Sequence, residues 1–347
     1  MNAVPHSRPW IIEDDLAAVR QTLASGMIGQ GGVTAEFEAR ISDWVGGAGA
    51  VAVASGSAAL VLALQALECG PGDEVVLPTY VCRHVLEAVT SVGSTGVFSD
   101  VRDDGLVDQA QLLAAITKQT RAVIVPHLYG MFVDLTPLRN FGVPIIEDCA
   151  QAVGDRRRPR IQGTLAVFSF HPTKCLTTGE GGMVVAIEPD QVARLREIRD
   201  GAPRADRMRL FSPLADTAAA LGLSQLKRYP EFLRRRRAIA DQYNALFEKG
   251  NFEATAWPSD APRMHFRYPL RHGGAFDQLA IRFAERGVIV RRGVDELLHR
   301  LRGLPDTAFP NATRLFENTL SLPIHPSMND SEISRCTGAC ITALSKL

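Results

Sequence analysis

Lys174 stands in the run Phe168-Ser169-Phe170-His171-Pro172-Thr173-Lys174-Cys175-Leu176, just beyond a β-branched and aromatic stretch. Pro172 and apolar neighbours hem it in, a setting that depresses an amine pKa and favours Schiff-base chemistry with a carbonyl. A lysine in a surface turn is the plain alternative for this residue taken singly. Ser169, five residues upstream, is placed to reach a phosphate held beside the same amine. Gly179, Gly181 and Gly182 allow a tight return into the next apolar run, Met183–Ala186.

Two further groups carry chemistry. Asp148 closes the apolar run Ile145-Ile146-Glu147, with Cys149-Ala150-Gln151-Ala152 after it. A carboxylate at the end of a buried strand is costly without a positive partner. A protonated pyridine nitrogen would serve, and pairing would keep such a ring electron-withdrawing; backbone donors or an arginine would serve equally. Upstream, Val53-Ala54-Ser55-Gly56-Ser57-Ala58-Ala59-Leu60 reads as a strand end followed by a helix start. Free N–H groups there, with the helix dipole behind them, suit a phosphate, while Ser-Gly-Ser is also an ordinary helix cap.

These groups need strands and helices to position them. Apolar runs at Ala50–Ala54, Glu74–Leu77, Gly96–Phe98, Ala122–Val125, Pro144–Glu147, Ala166–Phe170 and Met183–Ala186 read as strands. Helix-like stretches such as Ala58–Leu67 and Gln109–Ile116 lie between them. Near-continuous apolar strands alternating with helices predict an α/β domain whose sheet is mainly parallel and covered on both faces. Ligands in such sheets sit at the carboxyl ends of strands, where all three groups fall. Beyond Tyr229-Pro230 a helix is expected over Glu231–Lys249, then a smaller α+β region with a strand at Phe266–Leu270 and helices at Ala275–Arg286 and Asp330–Leu344. The domain division is therefore 1–230 and 231–347. The run Arg234–Arg237 is read as a solvated helix face with salt bridges rather than a nucleic-acid patch.

Composition closes off other classes. The 347 residues carry 38 Lys and Arg against 38 Asp and Glu, so no net field draws the chain to nucleic acid or an anionic membrane. No apolar run reaches the roughly 18 residues of a membrane span, and no signal peptide is visible. The six scattered cysteines form no disulfide framework, which points to a reducing cytoplasm. Cys336 and Cys340 are read as buried helix cysteines rather than metal ligands, and no metal is expected.

The three groups together, in this chain order, resemble the fold-type I pyridoxal-phosphate enzymes, and in detail the DegT/StrS-type sugar aminotransferases. Gly70–Pro78 (Gly-Pro-Gly-Asp-Glu-Val-Val-Leu-Pro), His127-Leu128-Tyr129-Gly130, Glu147–Ala152, Ser169–Gly182 and Leu320-Ser321-Leu322-Pro323-Ile324-His325-Pro326 carry the likeness over nearly the whole chain. The resemblance implies that Lys174 holds pyridoxal 5'-phosphate as an internal aldimine and then moves the proton of the 1,3-shift. It implies that Asp148 pairs with the pyridine nitrogen, that Gln151 lies near the 3-oxygen, and that Gly56, Ser57, Ala58 and Ser169 hold the phosphate. It further implies a homodimer with shared active sites, moving an amino group from glutamate or glutamine to a keto-sugar linked to a nucleotide. A non-nucleotide keto or amino substrate, such as an aminocyclitol or modified amino acid, is the second reading, and a non-catalytic regulatory relative the third. Lys174 stands where the family's dehydratase branch has histidine. Two departures touch the substrate side. Where the family has an aromatic residue stacking on the pyridine ring, this chain has Cys82, with Tyr80 as the alternative contact. The asparagine that reaches the partner's phosphate is missing near 209–214, where Arg209 or Ser212 would have to substitute.

Overall fold

The computed structural model describes residues 3–154, 161–201, 212–250, 252–257 and 263–344. Ten strands are formed in chain order: β1 Gly49–Val53, β2 Glu74–Pro78, β3 Thr95–Ser99, β4 Thr120–Pro126, β5 Ile145–Asp148, β6 Leu165–Ser169, β7 Gly182–Ala186, β8 Ala254–Ala256, β9 Tyr268–His272 and β10 Thr319–Leu322. The first seven make one sheet in the order β1-β7-β6-β5-β4-β2-β3, and the last three a small sheet, β10-β9-β8. In the large sheet β7 alone runs antiparallel to its neighbours, β6 and β1. The other six strands are therefore parallel, and their carboxyl ends emerge along one edge, as the alternation of strands and helices predicts.

The strands are apolar throughout because both faces are covered. Val51 and Val53 of β1 and Leu165 and Val167 of β6 pack with the helices Gly56–Ala66, Arg83–Ser91 and Pro189–Asp200. Their alternate residues, Ala50, Ala52, Ala166 and Phe168, join a second cluster with Phe37, Ile41, Leu226 and Tyr229 on the opposite side. The outer edge of β1 is closed by side chains. The Glu38 carboxylate accepts the Ala52 N–H at 2.8 Å, and the Arg199 guanidinium donates to the Ala52 carbonyl at 2.8 Å while pairing with Glu38 at 2.5 Å. An edge satisfied in this way offers no free ladder to another strand.

Two expectations are corrected. The helix expected over Glu231–Lys249 begins at Asp216 and runs unbroken to Lys249, with Pro230 inside it. Proline cannot donate to the Leu226 carbonyl, a loss of about 3 kcal/mol in an isolated helix, but Tyr229 and Phe232 on either side are buried and hold the turn in place. The strand expected at Phe266–Leu270 is displaced to Tyr268–His272. His265 adopts a left-handed φ of 49°, which breaks the extended run and turns Phe266 and Arg267 away from the ladder.

The arginine run is corrected in part: Arg234 and Arg237 are exposed, as expected of a solvated face, but Arg235 and Arg236 turn inward and no salt bridges form among the described residues. Arg236 is buried at 2 % exposure and donates to the carbonyls of His265, Phe266 and Ile324. Arg235 donates to those of Pro326 and Met328 and lies 5.0 Å from the Trp10 ring. None of the four forms an ion pair among the described residues. The amino-terminal segment follows the small sheet: Val4 bridges Val288, and His6 Nε2 lies 2.9 Å from Ser321 Oγ.

Candidate active site

Lys174 sits on the loop that joins β6 to β7. Phe170 anchors that loop: its carbonyl accepts from Thr177 Oγ1 at 2.8 Å and from the Thr178 N–H at 3.0 Å, and its N–H donates to Gly181 at 2.8 Å. Gly179 takes a φ of 84°, which lets the chain turn back. The side chain is thereby carried over the sheet edge, with Nζ 5.4 Å from the centre of the Phe266 ring. Burial lowers the amine below its ordinary range, and nearby Asp148 partly opposes this. A lysine so placed spends more of its time neutral, the state a nucleophile or proton carrier needs.

Asp148, at the carboxyl end of β5, is 8 % exposed. Burial raises its pKa, while the Ala150 N–H, 3.0 Å from Oδ1, and the Lys174 charge pull it down. No arginine or lysine reaches it as an ion pair among the described residues. Among the described residues, the arginine partner left open above is therefore not found. One backbone N–H is in place, and the net upward shift shows that it does not meet the cost of the buried anion.

Beside β6, the turn after β1 enters the helix Gly56–Ala66. Ser55 caps it, its Oγ accepting the Ala58 N–H at 3.1 Å. The N–H groups of Gly56 and Ser57 have no protein partner among the described residues, as the first turn of a helix leaves them. A Cβ on Gly56 would lie 2.7 Å from Ser169 Cβ, so the helix start and the end of β6 touch only because position 56 lacks a side chain. Gly182 pairs with both Val53 and Ser169 and joins the two strand ends. The Gly56–Ser57 amides thus lie beside Ser169 at one strand end, with Ala58 held in the cap by Ser55.

Gln151 is fixed by the turn after β4. Tyr129, at φ 57°, and Gly130, at φ 81°, bend the chain so that the Tyr129 N–H donates to Gln151 Oε1 at 2.8 Å. With Oε1 engaged, the two N–H groups of Nε2 are left to donate elsewhere. Cys82 begins the helix Arg83–Ser91 and is exposed, its Sγ 3.1 Å from His84 Nδ1. Surrounding protein raises the thiol pKa even so, and Lys174 and Asp148 both act on it electrostatically. Tyr80 does not share that place. It is 0 % exposed, its hydroxyl 2.9 Å from that of Tyr129, and its ring is packed in the protein core, so it has no free face to offer a ligand. Ser212 lies at the end of β1, its carbonyl accepting the Ala54 N–H at 3.0 Å; Arg209 falls outside the described residues.

Sequence reasoning missed two groups. Phe266 comes in from the small-sheet side to meet Lys174, and Arg267 beside it acts on the lysine electrostatically; nothing in their local sequence marks them. Behind Asp148, His127 and Glu147 form a buried pair at 2.7 Å. With Cys149 they have the makings of a metal site. The ring is already in use, however: His127 Nδ1 accepts the Val133 N–H at 3.0 Å, which puts the proton on Nε2, where it is donated to Glu147. Glu147 Oε1 accepts from the amides of Gln162 and Gly163, each at 2.5 Å. Burial pushes Glu147 up, but His127 and these amides outweigh it, and its pKa falls. The cluster is a hydrogen-bonded prop for the two strand ends. Cys336 and Cys340 are buried and free, as expected.

An α/β sheet with a half-buried lysine, a strand-end aspartate and a helix start along one edge is the arrangement of the fold-type I transferases. The chain belongs to the DegT/DnrJ/EryC1/StrS aminotransferase family, whose model matches residues 9–340. It is 31% identical over 366 residues to the spore coat polysaccharide biosynthesis protein SpsC of Bacillus subtilis (strain 168), covering 95% of this chain and 94% of that protein. The crystal structure of the aminotransferase TlmJ from Streptoalloteichus hindustanus superposes with a TM-score of 0.89 at 30% identity, covering 99% of each chain. The pyridoxal-phosphate form of the putative sugar aminotransferase Spr1654 from Streptococcus pneumoniae gives 0.89 at 27% identity over 98% of each.

Proposed function

We propose that this aminotransferase moves an amino group from glutamate, or glutamine, to a keto-sugar carried on a nucleotide. The observation that carries the reading is the convergence of Lys174, Asp148 and the Gly56–Ser169 contact on one sheet edge. The enzyme is pyridoxal-phosphate dependent, and the residues present fit that group: a helix start for its phosphate, a carboxylate in want of a cation, and an amine of lowered pKa. When bound, pyridoxal 5'-phosphate supplies a carbonyl that takes up the amino group and a ring that draws electrons from the bond being broken.

The protein's own residues have divided roles. Gly56 and Ser57 offer amides to the phosphate, Ser57 and Ser169 offer hydroxyls, and Ala58 keeps Ser55 in its capping position. Asp148 faces the ring nitrogen and holds a proton there. Gln151 Nε2 donates toward the ring oxygen, steadied through Oε1 by Tyr129. Cys82 would lie against the ring where the family carries an aromatic side chain, presenting sulfur rather than a π face. Lys174, an amine of lowered pKa, would serve as the base that carries a proton between the two carbons flanking the transferred nitrogen.

The sugar substrate is supported by the likeness to SpsC and Spr1654, and the nucleotide by the likeness to DesI, whose structure was determined in the presence of its TDP-sugar product. A homodimer fits the exposed Leu23 in the last turn of the helix Glu13–Ala24 and the exposed Met27 and Ile28 just beyond it. No helix among the described residues is long and apolar enough to cross a membrane, and all six cysteines are unpaired, which fits a cytoplasmic enzyme.

Reduction of the cofactor-loaded enzyme with borohydride should fix the cofactor mass to the peptide containing Lys174, and Lys174→Ala should carry no such mass and show no amino transfer. Loading without any mass on Lys174 would sink the reading. Glutamate should convert the bound cofactor to its amine form, and keto-sugar nucleotides should reverse this. Failure across a panel of keto-sugar nucleotides, with glutamate active, would remove the substrate assignment alone.

A further inference from the structure

Arg267 enters the Lys174 chamber from the small-sheet side and belongs to none of the roles above. Its Cζ lies 5.9 Å from the centre of the Phe266 ring, the same ring that Lys174 Nζ approaches to 5.4 Å. The guanidinium also acts electrostatically on Lys174, Tyr80 and Tyr129. The residue is half-buried with Nε wholly inside the protein, and burial lowers its pKa. A desolvated charge ordinarily comes with a carboxylate, and Arg267 has none: it makes no ion pair among the described residues. The nearby carboxylate, Asp295, is 70% exposed and lies 4.0 Å from Arg291 instead.

The hydrogen bonds of Arg267 show which edge is free. Nη1 donates to the Arg292 carbonyl at 2.6 Å and so ties the guanidinium to the segment before Gly293. That segment is itself pinned, since the Tyr80 and Tyr129 hydroxyls approach Gly293 more closely than a side chain there would allow. Nε is buried without a partner, and Nη2 has none among the described residues. The open edge is thus Nε with Nη2, two parallel N–H groups that match both oxygens of a carboxylate.

We propose that Arg267 receives a carboxylate of the amino donor and sets the enzyme's preference for a dicarboxylic amino acid. The inference rests on the aminotransferase reading and deepens it. In the loaded enzyme the helix start takes the phosphate and Asp148 meets the ring nitrogen, which leaves Arg267 as the cation without a counter-charge in the chamber. The donor brings that charge next to Lys174, and the fixed guanidinium orients the amino end toward the lysine. A nucleotide's pyrophosphate would satisfy the same N–H groups, so the experiment separates the two sources.

The holoenzyme should bind succinate, an unreactive dicarboxylate, by calorimetric titration, and should not bind the neutral succinamide. Arg267→Gln should lose succinate and raise the half-saturating glutamate concentration at least tenfold, about 1.4 kcal/mol. Arg267→Lys should recover part of the loss, and the keto-sugar nucleotide half-reaction should stay within twofold of wild type. The proposal is overturned if Arg267→Gln binds succinate as wild type does, if wild type takes succinamide as well as succinate or takes neither, or if the variant spares glutamate and loses the nucleotide. Should Arg267→Gln fail to fold, the wild-type comparison of succinate with succinamide still decides. If neither glutamate nor glutamine converts the bound cofactor, the aminotransferase reading fails, and succinate binding judges Arg267 separately.

Discussion

Asp148 shows how a single residue's environment prepares for a ligand. Burial raises its pKa above the usual 3.8, so between that value and the raised one the folded chain holds a proton that the unfolded chain has released. Stability therefore falls as pH climbs through this window, and the loss persists above it. Asparagine removes the penalty. Cofactor-free Asp148→Asn should melt above wild type at pH 7, with the gap closing near pH 3, while amino transfer drops by about 100-fold or more. Scanning calorimetry at the two pH values checks the first part; equal melting at both would show that the carboxylate is not under strain. Lys174 is the counterpart, an amine lowered by burial and steadied by the same aspartate.

At the scale of elements, the site depends on two strand ends and a helix start approaching more closely than side chains normally permit. Gly56 is the test position, because its φ is not left-handed and alanine is excluded by crowding alone. In Gly56→Ala the new methyl meets Ser169 Cβ at 2.7 Å, and one element must retreat. Overpacking of this kind costs about 1–3 kcal/mol. Cofactor affinity should weaken by about tenfold, read by titrating the visible absorbance of the bound group. Unchanged affinity would remove the helix start from the phosphate seat. His127 and Glu147 prop the next pair of strand ends, β4 and β5, with every donor and acceptor used.

For the molecule as a whole, the helix Asp216–Lys249 joins the large sheet to the small one. Leu226 and Tyr229 pack beneath the large sheet, and Ile239, Ala240 and Tyr243 pack with the small one. Arg236 binds the two together by donating to His265, Phe266 and Ile324, the stretch that leads Phe266 and Arg267 into the chamber. Arg236→Met keeps the bulk and removes the donor, leaving buried carbonyls unmet. A loss of about 2–4 kcal/mol is expected, with weakened glutamate binding as Arg267 loses its mooring. Urea unfolding measures the first and the glutamate half-reaction the second; a variant as stable as wild type would show that the carbonyls find other donors.

Much of the site was legible in the linear chain. Gly56, Ser57, Asp148, Ser169 and Lys174 all lie at or just beyond strand ends, and a parallel sheet brings its carboxyl ends to one edge whatever the loops do. Local spacing and one topological rule therefore suffice for them. Arg267 and Phe266 were not legible, because their place depends on how the small sheet docks some hundred residues further along, and no local pattern encodes that. Tyr80 shows the same limit within a single motif: it sits two residues before Cys82, yet points to the core, where the Tyr129 hydroxyl receives it. Arg235, Arg236 and Pro230 were misread for the opposite reason. Their local meanings, a charged face and a helix break, are sound for a solvated helix. Burial between two sheets supplied carbonyls for Arg235 and Arg236 and packing on both sides of the proline, and tertiary contacts of that strength outweigh a local preference of a few kcal/mol.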